Sequence, residues 1–156
     1  MPMIHAKVIV YPAAGGHLVS REWPRINEKL HDASLAFDHI FTEGPGHAIE
    51  IAKQATDSGY QYLIAVGGDG TINEVVNGIL HSDNSRKVTL GVVSSGTACG
   101  LARSLNISQD CVSACSLLTG KGRAVIDVGV AKCWRENRPV QRFLLMLLMW
   151  VLELQS

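Results

Sequence analysis

The sequence predicts an α/β fold: a parallel sheet covered by helices on both faces, in three layers. Three observations predict it. Apolar runs of strand length alternate four times with amphipathic segments of helical spacing, joined by short loops, and parallel neighbours need such helical crossovers. Two of the strand-to-helix junctions share a glycine-threonine turn, Gly67-Gly68-Asp69-Gly70-Thr71 and Ser94-Ser95-Gly96-Thr97. A chain of 156 residues with 47% hydrophobic content can bury a single core.

Ile4 to Tyr11 reads as the first strand, stopped by Pro12 and by Gly15-Gly16. Leu18, Val19, Trp23, Ile26 and Leu30 keep helical spacing, and Pro24 fits a helix that properly begins near it, where a missing N–H costs nothing. Leu35, Phe37, His39 and Phe41 alternate with Ala36, Asp38 and Ile40 in a second strand. The segment from Thr42 to His47 then turns into a helix over Ala48 to Ser58, with Gly59 placed to close it. Tyr60 to Val66 is the third strand and Thr71 to Leu80 the third helix, whose Ile72, Val75, Val76 and Ile79 share a face. After the polar break from His81 to Lys87, Val88 to Val93 forms a fourth strand, followed by a helix from Ala98 to about Leu105. Ser108 is placed to cap a further helix, Asp110 to Leu118, closed by Gly120, and Arg123 to Cys133 is strand-like.

The charge balance, 14 Lys and Arg against 14 Asp and Glu, argues against a nucleic-acid partner and gives no signal for an anionic surface. Cys99, Cys111, Cys115 and Cys133 are expected as buried thiols rather than as a disulfide scaffold. The N-terminus lacks a basic region followed by a long apolar one, so the cytoplasm is the expected compartment. His5, His17, His31, His39 and His81 show no metal-ligand spacing, and no zinc site is expected. The unbroken apolar run from Phe143 to Leu152 is shorter than the roughly 20 residues that cross a bilayer. It is expected to bury itself in the core or against another copy of the chain, which would make a homo-oligomer.

The chemistry concentrates at Gly67 to Ile79. Three glycines around one carboxylate are expected to give the main chain positive φ and to let a bulky anion reach the backbone. Thr71 is expected where the helix starts, with its hydroxyl and the free N–H groups of the first turn facing the loop. A phosphate chain fits that description. Without a ligand the same residues would simply make a tight turn. Ligands of such sheets bind beyond the carboxyl ends of the strands, where both glycine-threonine turns and the Thr42 loop fall.

Gly67 to Ile79 resembles the nucleotide-binding signature of the diacylglycerol kinase catalytic-domain family, which includes sphingosine and ceramide kinases and their bacterial relatives. The resemblance runs from about Lys7 to about Val130. It is carried by Thr42 and Gly46-His47-Ala48, by Gly67, Gly68, Asp69, Gly70, Thr71, Asn73 and Glu74, by Gly96-Thr97-Ala98 with Gly100-Leu101-Ala102-Arg103, and by Ile126-Asp127-Val128-Gly129. There are departures. Tyr11 stands where the family has Asn before Pro12, Cys99 where it has Asn, and little follows the Ile-Asp crossing, where family members carry a second, mostly β domain.

The resemblance implies a nucleotide-binding domain over residues 1–130 and the start of the second domain, with an apolar tail, over 131–156. It implies ATP and magnesium as cofactors, with Thr42, Gly67, Gly68, Asp69, Gly70, Thr71, Ile72, Asn73, Glu74 and Thr97 at the nucleotide. Asp69 is the implied catalytic acid, orienting magnesium-bound water or acting as base for the acceptor hydroxyl. Glu74 either bonds the loop or is an exposed helix acid. His47 is expected to cap its helix start and Arg103 to pair with a nearby acid. The implied partner is a lipid at a membrane surface, of diacylglycerol, sphingosine or ceramide type. A soluble kinase related to NAD kinases and a non-catalytic nucleotide-binding fragment are the alternatives.

Overall fold

The computed structural model describes residues 5–95, 99–120 and 122–145. In chain order the elements are β1 (His5–Val10), α1 (Ala14–Asp32), β2 (Ala36–Phe41), α2 (His47–Asp57), β3 (Tyr62–Gly67), α3 (Asp69–Leu80), β4 (Thr89–Ser94), α4 (Gly100–Ser104), α5 (Cys111–Cys115), β5 (Gly129–Arg135) and β6 (Arg138–Leu144). The first four strands form a parallel sheet in the order β2-β1-β3-β4. Its register pairs Val10 with both Phe41 and Val66, and Gly67 with Ser94, so the carboxyl ends of all four strands finish on one line. All four strands therefore hand over to their following loops at the same edge.

Alternation along each strand divides the core into two halves. Ala6, Val8, Val10, Ile64, Val66 and Val93 pack against Val19, Ile26 and Leu30 of α1 and against Cys111, Ala114 and Cys115 of α5. Ile9, Leu63, Ala65 and Val92 face the other way, onto Ile51, Ala52 and Ala55 of α2 and Ile72, Val75, Val76 and Ile79 of α3. This is the three-layer α/β arrangement the sequence predicts. Gly78 brings α2 and α3 together, because a Cβ there would run into the Ile49 carbonyl and the Ala52 side chain.

Several details differ from expectation. Gly15, Gly16 and His17 are left-handed, so regular helix in α1 begins at Leu18 and Pro24 lies inside it, six residues on. The cost is limited to the bond Pro24 cannot give to the Ser20 carbonyl, and both residues are exposed to water. α3 starts at Asp69, two residues before Thr71. α5 is capped by Asp110 rather than Ser108: the Asp110 carboxylate accepts the Ser113 N–H at 2.8 Å, and Ser108 supports it by accepting the Asp110 N–H. The strand after Arg123 begins only at Gly129, because Val125 is fully exposed and has no strand beside it. β5 then pairs antiparallel with β6 in a separate hairpin, turned by Glu136 and Asn137 at φ 50° and 60°. Cys99, Cys111 and Cys115 are buried, whereas Cys133 lies exposed on that hairpin.

Of the apolar run, Phe143 and Leu144 end β6 and Leu145 is buried, while residues 146–152 lie outside the described residues. No helix among the described residues is long and apolar enough to cross a membrane.

Candidate nucleotide site

β3 ends at Gly67, Gly68 is the N-cap, and α3 begins at once with Asp69. Gly67, Gly68 and Gly70 are all without positive φ, contrary to expectation. They are small for reasons of space. A Cβ on Gly67 would lie 2.6 Å from the Thr71 hydroxyl, and one on Gly68 would lie 3.3 Å from the Ser95 carbonyl oxygen. Gly70 is exposed, with nothing within 4 Å of where its Cβ would stand, and so marks the open side of the turn. The first intrahelical bond of α3 runs from the Ile72 N–H to the Gly68 carbonyl at 3.1 Å. The N–H groups of Asp69, Gly70 and Thr71 precede it and stay available at the positive end of the helix dipole.

Thr71 is not at the helix start. It is the third residue of α3 and buried, its hydroxyl against Gly67, so it shapes the turn from within. Ile72 is buried in the core, and its N–H serves the helix; its side chain is not brought to the site.

Asp69 reaches sideways to the second glycine-threonine junction. One carboxylate oxygen accepts the Gly100 N–H at 2.9 Å and the other the Leu101 N–H at 3.3 Å. The acid thus caps α4 and ties the two junctions together. Glu74 does the same on the opposite side, accepting the Gly46 N–H at 2.8 Å. Gly46 is the N-cap of α2 at φ 85°, a conformation that favours glycine, and no side chain of α2 caps it. Glu74 is therefore a half-buried loop anchor and not an exposed helix acid.

The loop so anchored begins at Thr42, buried at the end of β2 with its N–H donating to the Val10 carbonyl. His47 caps this loop, its Nδ1 accepting the Glu43 N–H at 3.0 Å. Asn73 is half-buried, and its Oδ1 is buried without a hydrogen-bond partner among the described residues. Arg103 is exposed and makes no ion pair among them, against expectation. Thr97 lies outside the described residues.

Sequence reasoning missed Ser94 and Ser95. They end β4 at the site edge, and both hydroxyls are buried without a hydrogen-bond partner among the described residues. The Ser95 N–H donates to the Gly67 carbonyl at 2.7 Å, and its side chain stands where a Cβ on Gly15 would crowd it at 3.1 Å. Gly15, at φ 62°, is thus required both by conformation and by space. The signal was present as two hydroxyl residues at a strand's carboxyl end. Cys99, buried at φ 44°, occupies a left-handed position that Asn would take more readily.

Among the described residues no group of three or more His, Cys, Asp and Glu side chains is placed to hold a metal ion. The arrangement suits an anion: free N–H groups at a helix start, an uncovered glycine, and neighbouring loops bolted to that helix by its own acids.

The profile of the family described as Diacylglycerol kinase catalytic domain matches residues 5–131. The chain belongs to the diacylglycerol kinase catalytic-domain family. Diacylglycerol kinases of Staphylococcus aureus strains JH9 and Newman are 38% identical to it over 124 residues, which cover 80% of this chain and 39% of theirs. This diacylglycerol kinase-family chain therefore spans about two fifths of the length of those relatives. A solved diacylglycerol kinase from Bacillus anthracis str. Sterne shares the fold, with a TM-score of 0.73 at 24% identity over 89% of this chain and 46% of that one.

Proposed function

We infer that this chain is the ATP-binding half of a lipid kinase that transfers the γ-phosphate of ATP to a lipid hydroxyl. The observation that carries the reading is the open side of Gly70 beside the N–H groups of the first turn of α3, which have no partner among the described residues, at the edge where all four strands end. These residues fit a phosphate chain. A kinase needs its phosphates positioned and their charge neutralised more than it needs an elaborate nucleophile system, and backbone donors supply the first part of that. Asp69 and Glu74 do their share by fixing the loops that flank the phosphates. Ser94, Ser95 and Thr42 offer hydroxyls at the same edge, and Thr97 is proposed to join them.

Magnesium does not find a cage in the described residues. Asp69 offers a carboxylate at the turn, but its oxygens already accept two N–H groups. Magnesium is ordinarily held by one or two carboxylates plus the phosphates themselves. When bound, magnesium would neutralise charge on the phosphates, and Asp69, the acid of the turn, would be its partner or the base for the acceptor hydroxyl. The acceptor side, a lipid of diacylglycerol, sphingosine or ceramide type at a membrane surface, is proposed to be met by chain that follows the β5–β6 hairpin, where residues 131–156 would begin a second domain. Association of copies through the apolar run from Phe143 is part of the same proposal.

Incubation of the chain with labelled ATP, magnesium and mixed micelles of each lipid, beside NAD, tests this reading. Specific ATP binding with label passing to lipid supports it, and ATP binding with no label transferred would favour the non-catalytic nucleotide-binding fragment. Label passing to NAD, or no ATP binding at all, would overturn it.

A further inference from the structure

On the same helix, two turns beyond Asp69, Asn77 is only 1% exposed and uses its whole amide. Its Nδ2 donates to the Asn73 carbonyl and to the Phe143 carbonyl, each at 2.8 Å, and its Oδ1 accepts the Phe143 N–H at 2.9 Å. One side chain thus satisfies both backbone groups of one residue of β6, as a neighbouring strand would. The His81 ring packs edge-on against Phe143, 5.1 Å between centroids, and its Nδ1 donates to the Asn77 carbonyl. Leu145, 5% exposed, enters the core beside α3, while the far end of the hairpin stands in water, with Trp134 75% exposed. The hairpin is held at its base.

We propose that Asn77 is a positioning residue that docks the β5–β6 hairpin on α3 and so sets where the chain beyond it stands relative to the glycine turn. α3 carries the phosphate-binding turn at its start and this clasp eight residues later, so donor and acceptor sides are registered on one rigid element. The catalytic consequence rests on the kinase reading above; the docking itself does not.

Amide hydrogen exchange of the whole chain, with and without ATP and magnesium, tests it on the wild type, Asn77→Ala and Asn77→Asp. Near pH 7, Asn77→Ala should speed exchange across Gly129–Leu144 by at least about tenfold while β3 stays protected. Asn77→Asp is the discriminating variant. A protonated carboxyl offers one donor and one acceptor, the pair that Phe143 requires, whereas the ionised form only accepts. Docking therefore raises the pKa of the introduced acid above about 3.9, and the protection it gives is present at low pH and lost as pH rises through the raised value. After correction for intrinsic rates, Asn77→Asp should be as fast as Asn77→Ala near pH 7 and regain at least about fivefold protection near pH 4.5. The His81 ring beside the clasp is present in both variants, so the difference between them reports the carboxyl. Unchanged hairpin exchange in Asn77→Ala, equal loosening of hairpin and β3, or the same pH response in both variants would overturn the proposal. Failure of ATP to protect residues 68–74 would remove the kinase reading and leave the clasp standing; an unmoved hairpin would do the reverse.

Discussion

Glu74 crosses from the second turn of α3 to the backbone N–H of Gly46, at 2.8 Å, and supplies the N-terminal cap that α2 lacks. A carboxylate at a helix start is favoured by the dipole as well as by the hydrogen bond. Glu74→Ala should cost about 1.5–3 kcal/mol of stability, the worth of a charge-assisted bond. Glu74→Gln keeps an acceptor and should recover about half of that. Chemical denaturation of the three proteins without nucleotide checks it. Equal losses in both variants would mean that the carboxylate's charge, and not an acceptor at that position, is what Glu74 provides.

Asp69 ties α3 to α4 through two N–H groups. Asp69→Ala should therefore lower stability in the absence of any nucleotide, by about 1–2 kcal/mol as for other lost helix caps. A purely catalytic acid would leave the unliganded protein unaffected. Thermal unfolding without ligand separates the two cases, and an unchanged midpoint would show that the cap carries nothing.

Gly67 and Gly70 make opposite predictions. Gly67→Ala places a methyl group against Thr71 and should destabilise by about 1–3 kcal/mol, as overpacking does. Gly70→Ala meets no atom within 4 Å and lies in a helix, so it should stabilise by about 0.4–1 kcal/mol while hindering a phosphate at the turn. Urea melts paired with nucleotide titration would read both effects. Similar destabilisation by the two alanines would contradict the geometry of the turn.

Burial pushes the Tyr62 phenol up to about 12 from 10.0 and the Cys115 thiol up to about 11 from 9.0. The folded state holds these protons more tightly than the unfolded one. Their contribution is therefore complete below pH 9 and is lost as pH rises through 11 to 12. Tyr62→Phe should flatten the upper part of that slope, and should cost about 1 kcal/mol at neutral pH because the hydroxyl donates to the Leu118 carbonyl at 2.7 Å. Thermal midpoints measured from neutral to strongly alkaline pH give the test; identical profiles for the two proteins would argue against it.

The alternation of strands and helices was legible because its periods, two and 3.6, are local properties, and Gly59 and the apolar face of α3 were legible for the same reason. The glycine turn was recognised but its geometry was not. Adjacent glycines suggest positive φ, whereas here they make room for Thr71 and Ser95, and the need for room is visible only once those neighbours are in place. The partners of Asp69, Glu74 and Asn77 lie 31, 28 and 66 residues away, beyond any spacing rule. The β5–β6 hairpin escaped because Glu136-Asn137 takes the tight turn without the glycine that usually marks it. The place of Pro24 inside α1 is not legible in the sequence, because the exposed position that makes an interior proline tolerable is a property of the fold.

Calorimetric titration with ATP and magnesium, of the wild type and of Gly70→Asp, tests the central claim most directly. The substitution sets a Cβ and a like charge on the open side of the turn, where the phosphates are proposed to lie. The account predicts saturable binding by the wild type and none by Gly70→Asp, with both proteins folded. No heat from the wild type, or equal affinity in the two, would contradict it.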